Sequence, residues 1–207
     1  MFHSSTENNL YKIINNILCK FSGINKWTVE KNPPEDLIPV SDSTALNLLQ
    51  KSAHKIRIPI GVIGTATPTD LHYVTAKKIG ETLSYLGFTV LCGGRSGVMK
   101  AVCEGVQINN GISIGILPNL DANEANEFVS IPIATGIGFA RNSIIASSSL
   151  CLISIGGGNG TLSEIAFGLQ YNKPVLSLFS EFKINGVIYL NDMNMITKHL
   201  INIIFKS

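Results

Sequence analysis

From residue 56 onward the sequence predicts an α/β fold: a doubly wound parallel sheet covered by helices on both faces, in three layers. Two observations predict it. Short apolar runs rich in Ile, Val and Leu alternate with longer stretches whose apolar residues recur at helical spacing, the pattern of βαβ units. Three of the strand-to-helix loops, "GTATP" at 64–68, "GGRSG" at 93–97 and "GGGNGT" at 156–161, are almost bare of side chains. Right-handed crossovers then wind the sheet in both directions.

The elements follow in order. Leu10, Ile13, Ile14, Ile17, Leu18 and Phe21 recur at i, i+3, i+4, i+7, i+8 and i+11, which predicts an amphipathic helix stopped at Gly23. Residues 24–42 hold three prolines and read as an extended connector, and 43–54 as a second short helix. Residues 1–55 are therefore expected to be a helical appendage and connector, and 56–207 the main domain. "IPIGVIG" at 58–64 opens that domain as a buried strand. A helix over 70–86 follows, with Gly87 as its C-cap, then the strand "FTVLC" and the helix "GVMKAVCEGVQI". "ISIGILP" is a third strand, "NLDANEANE" a polar loop, "FVSIPIA" a fourth strand and "FARNSIIASSS" a helix. "LCLIS" leads into a helix over 160–171, and "PVLSLF" is the sixth strand. "FKINGVIYL" reads as a hairpin with Asn-Gly at its tip, and 191–204 as a closing helix.

Composition narrows the function. The 207 residues are 45% apolar and 14% charged, and 16 basic against 14 acidic residues leave a net charge of +2. So even a balance argues against nucleic acid as a partner, which needs a basic face. Cys19, Cys92, Cys103 and Cys151 form no C-x-x-C pair and have no histidine at ligand spacing, so neither a metal site nor a disulfide framework is expected. Reduced thiols and a start without signal-peptide features point to the cytoplasm. No membrane span is expected.

The bare loops carry the chemistry. In a parallel sheet all strand-to-helix loops lie at the carboxyl edge, where open α/β sheets bind ligands. The first amides of a helix lack intrahelical acceptors and carry partial positive charge. Glycine lets a bulky anion reach them, and phosphate is their common guest. No G-x-x-x-x-G-K-[ST] P-loop occurs. "GNGTLS" is a defective dinucleotide fingerprint on the fifth strand rather than the first, although Glu181 lies at about the distance past it that ribose recognition requires.

"GGGNGTLSE" resembles the P-G-G-x-G-T-x-x-E signature of the Lonely Guy (LOG) family, the cytokinin riboside-monophosphate phosphoribohydrolases. "LCGGRSGVMKAVCEG" and "GISIGILP" resemble that family's second glycine motif and following strand. "ANEFVSIPIATGIGFARN" is more similar to the branch of the superfamily that contains molybdenum-cofactor carrier proteins. The likeness runs over about residues 58–180 and implies a Rossmann-like domain. The chain departs from the enzymes at Asn142, where they carry lysine, and at Gly156, where they carry proline.

The resemblance implies Arg141 and Glu164 as the catalytic pair. Arg141 interrupts a small-residue apolar stretch, where a charge is costly unless paired. Glu164 has two readings. Thr161-Leu-Ser-Glu164 fits a capping box, or the carboxylate faces a sugar and stabilises an oxocarbenium-like transition state, held charged by a neighbouring arginine. The expected ligand-binding residues are Gly64, Thr65, Gly93, Gly94, Arg95, Gly97, Asn142, Gly157, Gly158, Asn159, Gly160 and Thr161. Thr67 and Ser96 are further donors on that edge, Met99 reads as core, and the four histidines have no expected role. Two functions follow, neither requiring a cofactor. One is hydrolysis of a nucleoside 5′-monophosphate to free base and ribose 5-phosphate. The other is non-catalytic carriage of a phosphorylated ligand, a nucleotide or a molybdopterin-type molecule. The resemblance also implies a homodimer or higher homo-oligomer.

Overall fold

The structure is a computed structural model that describes residues 1–5, 9–14 and 17–205. It divides into two compact units, residues 1–56 together with those from Asn194 on, and Arg57–Met193.

The first unit is built on β-structure, which corrects the helix expected over 10–21. Strands β1 (Phe2–Ser4), β2 (Leu10–Ile14), β3 (Ile17–Gly23), β4 (Lys26–Val29) and β5 (Ile38–Val40) form an antiparallel sheet in the order β4-β3-β2-β1-β5. The register sets Ile14 opposite Ile17; Asn15 and Asn16 lie outside the described residues. Leu10 and Tyr11 are both buried. Neighbours in a strand point to opposite faces, so a sheet covered on both sides accounts for an apolar pattern that also fits a helix. Pro33, Pro34 and Pro39 do not make 24–42 a bare connector, because β4 and β5 lie within it. Helix α1 (Asp42–Lys51) forms as expected, capped by the Ser41 hydroxyl, which accepts from the Thr44 amide at 3.2 Å.

The second unit carries the predicted α/β fold. Its strands are β6 (Ile60–Gly64), β7 (Val90–Cys92), β8 (Ser113–Leu117), β9 (Ile131–Ala134), β10 (Leu152–Ile155), β11 (Val175–Leu178) and β12 (Val187–Tyr189). They form one parallel sheet in the order β12-β11-β10-β6-β7-β8-β9. The connections include helices α2 (Asp70–Tyr85), α3 (Val98–Gln107), α4 (Arg141–Ser148) and α5 (Asn159–Gln170). Strand order reverses between β6 and β10, which makes that boundary the topological switch point. Ile63, Leu91, Ile145, Leu152, Ile165 and Val175 form the buried centre, each removing an aliphatic side chain from water at a gain of about 1.5–3 kcal/mol.

One expectation fails here. "FKINGVIYL" is not a hairpin: Asn185 and Gly186 make a turn, closed by Val187 N–H donating to Ile184 C=O at 3.3 Å, but only Val187–Tyr189 is strand, and it pairs parallel to β11. The chain before the turn is held instead by the Ile184 amide donating to Tyr189 Oη at 2.6 Å. The expected closing helix forms as α6 (Met195–Ile204) but belongs to the first unit, where Phe205 meets Phe2 and Phe21 with ring centroids 4.7 and 5.0 Å apart.

Candidate functional site

The loops after β6, β7 and β10 converge at the switch point around a cavity of about 490 Å³. Each loop arrives there for a local reason. The first is pinned as the Thr65 amide donates to Ile155 C=O at 3.3 Å and Val98 N–H donates to Thr65 C=O at 3.0 Å. The second is tied from beneath by Asn126, whose backbone amide donates to Gly94 C=O at 2.8 Å and whose Nδ2 donates to Arg95 C=O at 2.9 Å. The third turns through Gly156 and Gly157, both at positive φ, into α5.

Helix α5 starts one turn earlier than a Thr161 cap requires. Gly158 is its N-cap and no side chain caps it. The capping-box reading of Thr161 and Glu164 is thereby overturned. The first intrahelical bond runs from Leu162 N–H to Gly158 C=O at 2.9 Å. Among the described residues, the backbone amides of 157–161 donate to no protein acceptor. A β-carbon built on Gly158 or Gly160 would meet nothing within 4 Å, and both residues line the cavity. Neither stands at positive φ, so neither packing nor backbone conformation requires glycine there. Their bareness leaves an open approach to the amides, the arrangement suited to an oxyanion.

Arg141 opens α4, with its cationic side chain at the positive end of that helix's dipole. It is offset by Glu164, whose Oε1 accepts from Arg141 Nη1 at 3.0 Å with both side chains about nine-tenths buried. Gly93 makes room for this pair, since a β-carbon there would stand 2.5 Å from Arg141 Nη2. Burial pushes the Glu164 carboxyl up to about 7 against the opposing pull of Arg141. The expectation that the arginine keeps this group low and charged is corrected: desolvation outweighs the ion pair. Arg141 Nε remains buried without a partner.

Asn142 is oriented by its neighbours. Its Nδ2 donates to Gly160 C=O at 3.3 Å and to Ser163 Oγ at 2.8 Å, while Ser163 Oγ itself donates to Gly160 C=O at 2.7 Å. Two acceptors on one side fix the amide nitrogen there, and Asn142 Oδ1 is left buried and unpartnered. Buried polar atoms of this kind call for a partner from outside the protein.

The cavity wall gathers Gly64, Thr65, Gly93, Arg95, Arg141, Asn142, Gly158, Gly160, Thr161 and Glu164 of the expected residues, with the expected donors Thr67 and Ser96. Gly94, Gly97, Gly157 and Asn159 do not line it. Gly94 abuts Gly115, Gly97 abuts Thr65 C=O and Ala66, and Gly157 abuts the Thr161 side chain. Met99, read as core, and Phe139, not singled out in the sequence, are also on the wall, and Phe139 is 84% exposed on the turn before α4. An aromatic flanked by Gly138 and Ala140 in "GIGFA" is the signal that could have found it. The wall thus presents two guanidiniums, one carboxyl, hydroxyls, free amides and an exposed ring. Among the described residues no three His, Cys, Asp or Glu side chains cluster as for a metal, and no helix is long and apolar enough to cross a membrane.

Residues 57–201 match the family described as the SLOG cluster4 family. An uncharacterized protein of Archaeoglobus fulgidus is 42% identical over 128 residues, 62% of this chain and 84% of that protein. Among solved structures, the molybdenum cofactor binding protein from the phototrophic bacterium Rippkaea orientalis is similar at 33% identity and a TM-score of 0.68, covering 72% of this chain and 99% of its own. The molybdenum cofactor carrier protein of Chlamydomonas reinhardtii is similar at 32% identity and a TM-score of 0.63, covering 70% and 98%.

Proposed function

The chain belongs to the SLOG cluster4 family, and from that premise we propose that it binds a phosphorylated small molecule at the switch-point cavity and holds it without turnover. The observation that carries this reading is the run of unpaired amides at 157–161 opening on space that Gly158 and Gly160 keep clear. A phosphate seats there, with Arg95 as a second cation on the same wall. The exposed Phe139 ring offers a flat face to a planar heterocycle. The molybdenum cofactor, an anionic pterin phosphate, fits such a wall, and two similar structures are described as its binding or carrier proteins. Glu164 favours holding over hydrolysis, because its carboxyl is already engaged by Arg141.

A second reading, hydrolysis of the N-glycosidic bond of a nucleoside 5′-monophosphate, draws on one observation: Arg141 and Glu164 come together on the cavity wall. In that mechanism the amides grip the phosphate, Arg141 orients it, and the carboxylate stabilises positive charge developing at the anomeric carbon.

One experiment separates the two. The purified chain is incubated with molybdenum cofactor and, separately, with a panel of nucleoside monophosphates. Saturable cofactor binding that survives gel filtration, with no free base from any nucleotide, is the expected result. Base release that disappears in Glu164→Gln establishes the hydrolase instead. Binding of neither class overturns both.

A further inference from the structure

A second concavity lies at the same carboxyl edge, beyond the ends of β11 and β12, with a volume of about 300 Å³. It shares no lining residue with the switch-point cavity. Its floor is set by strand register. Ser177 on β11 stands opposite Tyr189 on β12, so their side chains share one face of the sheet.

Three groups there have capacity left over. Ser177 is 1% exposed and its Oγ has no hydrogen-bond partner, an arrangement that buried hydroxyls rarely keep. Tyr189 Oη accepts from the Ile184 amide at 2.6 Å, which leaves its hydroxyl hydrogen to donate. The Lys183 ammonium is held over the Tyr189 ring, 4.4 Å from the centroid, and among the described residues no carboxylate pairs with it. Ser180, by contrast, is occupied: its Oγ donates to Phe182 C=O and accepts from Phe182 N–H. No lining side chain is acidic. A pocket that offers two hydroxyl donors and an unpaired ammonium, with no opposing carboxylate, is complementary to an anion.

We propose that this pocket is a second binding site, for a small oxyanion-bearing molecule, phosphate or carboxylate, held by Lys183, Ser177 and Tyr189. It is independent of the reading given to the switch-point cavity.

The Ile184 amide, bonded to Tyr189 Oη, is a local reporter, and the Gly158 and Gly160 amides report the first cavity separately. The full chain, labelled with ¹⁵N, is titrated with inorganic phosphate and, in a second arm, with succinate. The expected result is a saturable shift of the Ile184 resonance in at least one arm, with an affinity about tenfold weaker in Lys183→Met and reduced in Ser177→Ala. Phosphate alone, or succinate alone, identifies the oxyanion. An Ile184 resonance that moves in neither arm overturns the site, as does a shift that Lys183→Met and Ser177→Ala reproduce unchanged. The Gly158 and Gly160 resonances show in the same spectra whether the switch-point cavity binds, so failure of one site is not mistaken for failure of the other.

Discussion

The glycine loops at 93–97 and 156–160 look alike in sequence, and the structure gives them different reasons to be bare. In the first, every glycine is filled from the protein side. Gly93 admits the Arg141 guanidinium, Gly94 lies with its absent β-carbon 3.0 Å from Gly115 Cα, and Gly97 would place one 2.5 Å from Thr65 C=O. In the second, Gly156 and Gly157 serve the turn, but Gly158 and Gly160 face nothing within 4 Å. One loop is bare so that the protein can close on itself. The other is bare in part so that something else can arrive. A glycine motif alone does not separate these cases; what a methyl group would strike does.

The sharpest way to break this comparison is Gly97→Ala. Gly97 stands at φ +71°, ψ −134°, a region that side chains rarely enter, and the new methyl meets backbone atoms of Thr65 and Ala66 that cannot swing aside. Backbone strain and overpacking together are expected to cost about 4 kcal/mol. Urea denaturation measures it. A variant within about 1 kcal/mol of the parent would show that the first loop is not held by close packing.

How much of this was legible follows from what each signal measures. The parallel sheet was legible because buried strands of a βαβ fold read as continuous apolar runs, and "LCLIS" and "PVLSLF" can be little else. Arg141 was legible because a charge in "GIGFARNSII" needs a partner. The strands at 10–23 were not, because Leu10, Ile13, Ile14, Ile17 and Leu18 satisfy a helical period, while the evidence for a sheet covered on both faces lies in tertiary structure. The Asn-Asn dipeptide between two short apolar runs was the hint available in the sequence. The capping box misled because Thr161 and Glu164 have the right spacing but the helix begins at Asn159, a boundary set by how Gly157 and Gly158 turn. The desolvation that lifts Glu164 depends on burial from elements distant in sequence, which no local motif encodes.

The Arg141–Glu164 pair joins the two loops, since Arg141 rests on Gly93 and Glu164 belongs to the helix that the second loop begins. Its titration tests whether the join is as dry as it looks. With a folded pKa of about 7 against an ordinary value of 4.5, the folded chain holds a proton that the unfolded chain has lost between those limits. Stability from this group is therefore fully present below pH 4.5 and is lost as pH rises through 7, by about 3 kcal/mol in all. Glu164→Gln keeps an acceptor for Arg141 but cannot titrate, so its stability profile is expected to stay flat where the parent's falls. Parallel profiles for the two proteins across that window would mean that the carboxyl is better solvated than its burial implies.

The smallest effect is the most discriminating, because it moves two observables in opposite directions. Gly160 is the second residue of α5, and alanine is a better helix former than glycine by about 1 kcal/mol. With nothing within 4 Å of the new methyl, Gly160→Ala is expected to leave stability unchanged or raise it by up to about 1 kcal/mol. The same methyl projects into the space an oxyanion must cross to reach the amides of 157–161. Phosphate affinity followed at the Gly158 amide is therefore expected to fall about tenfold, or about 1.4 kcal/mol. Gly97→Ala, at a position that does not line the cavity, costs folding first, whereas Gly160→Ala costs binding alone. If Gly160→Ala instead weakened the fold and left phosphate binding intact, Gly160 would join Gly93, Gly94 and Gly97 as a packing residue, and the amides of α5 would lose their claim to a guest.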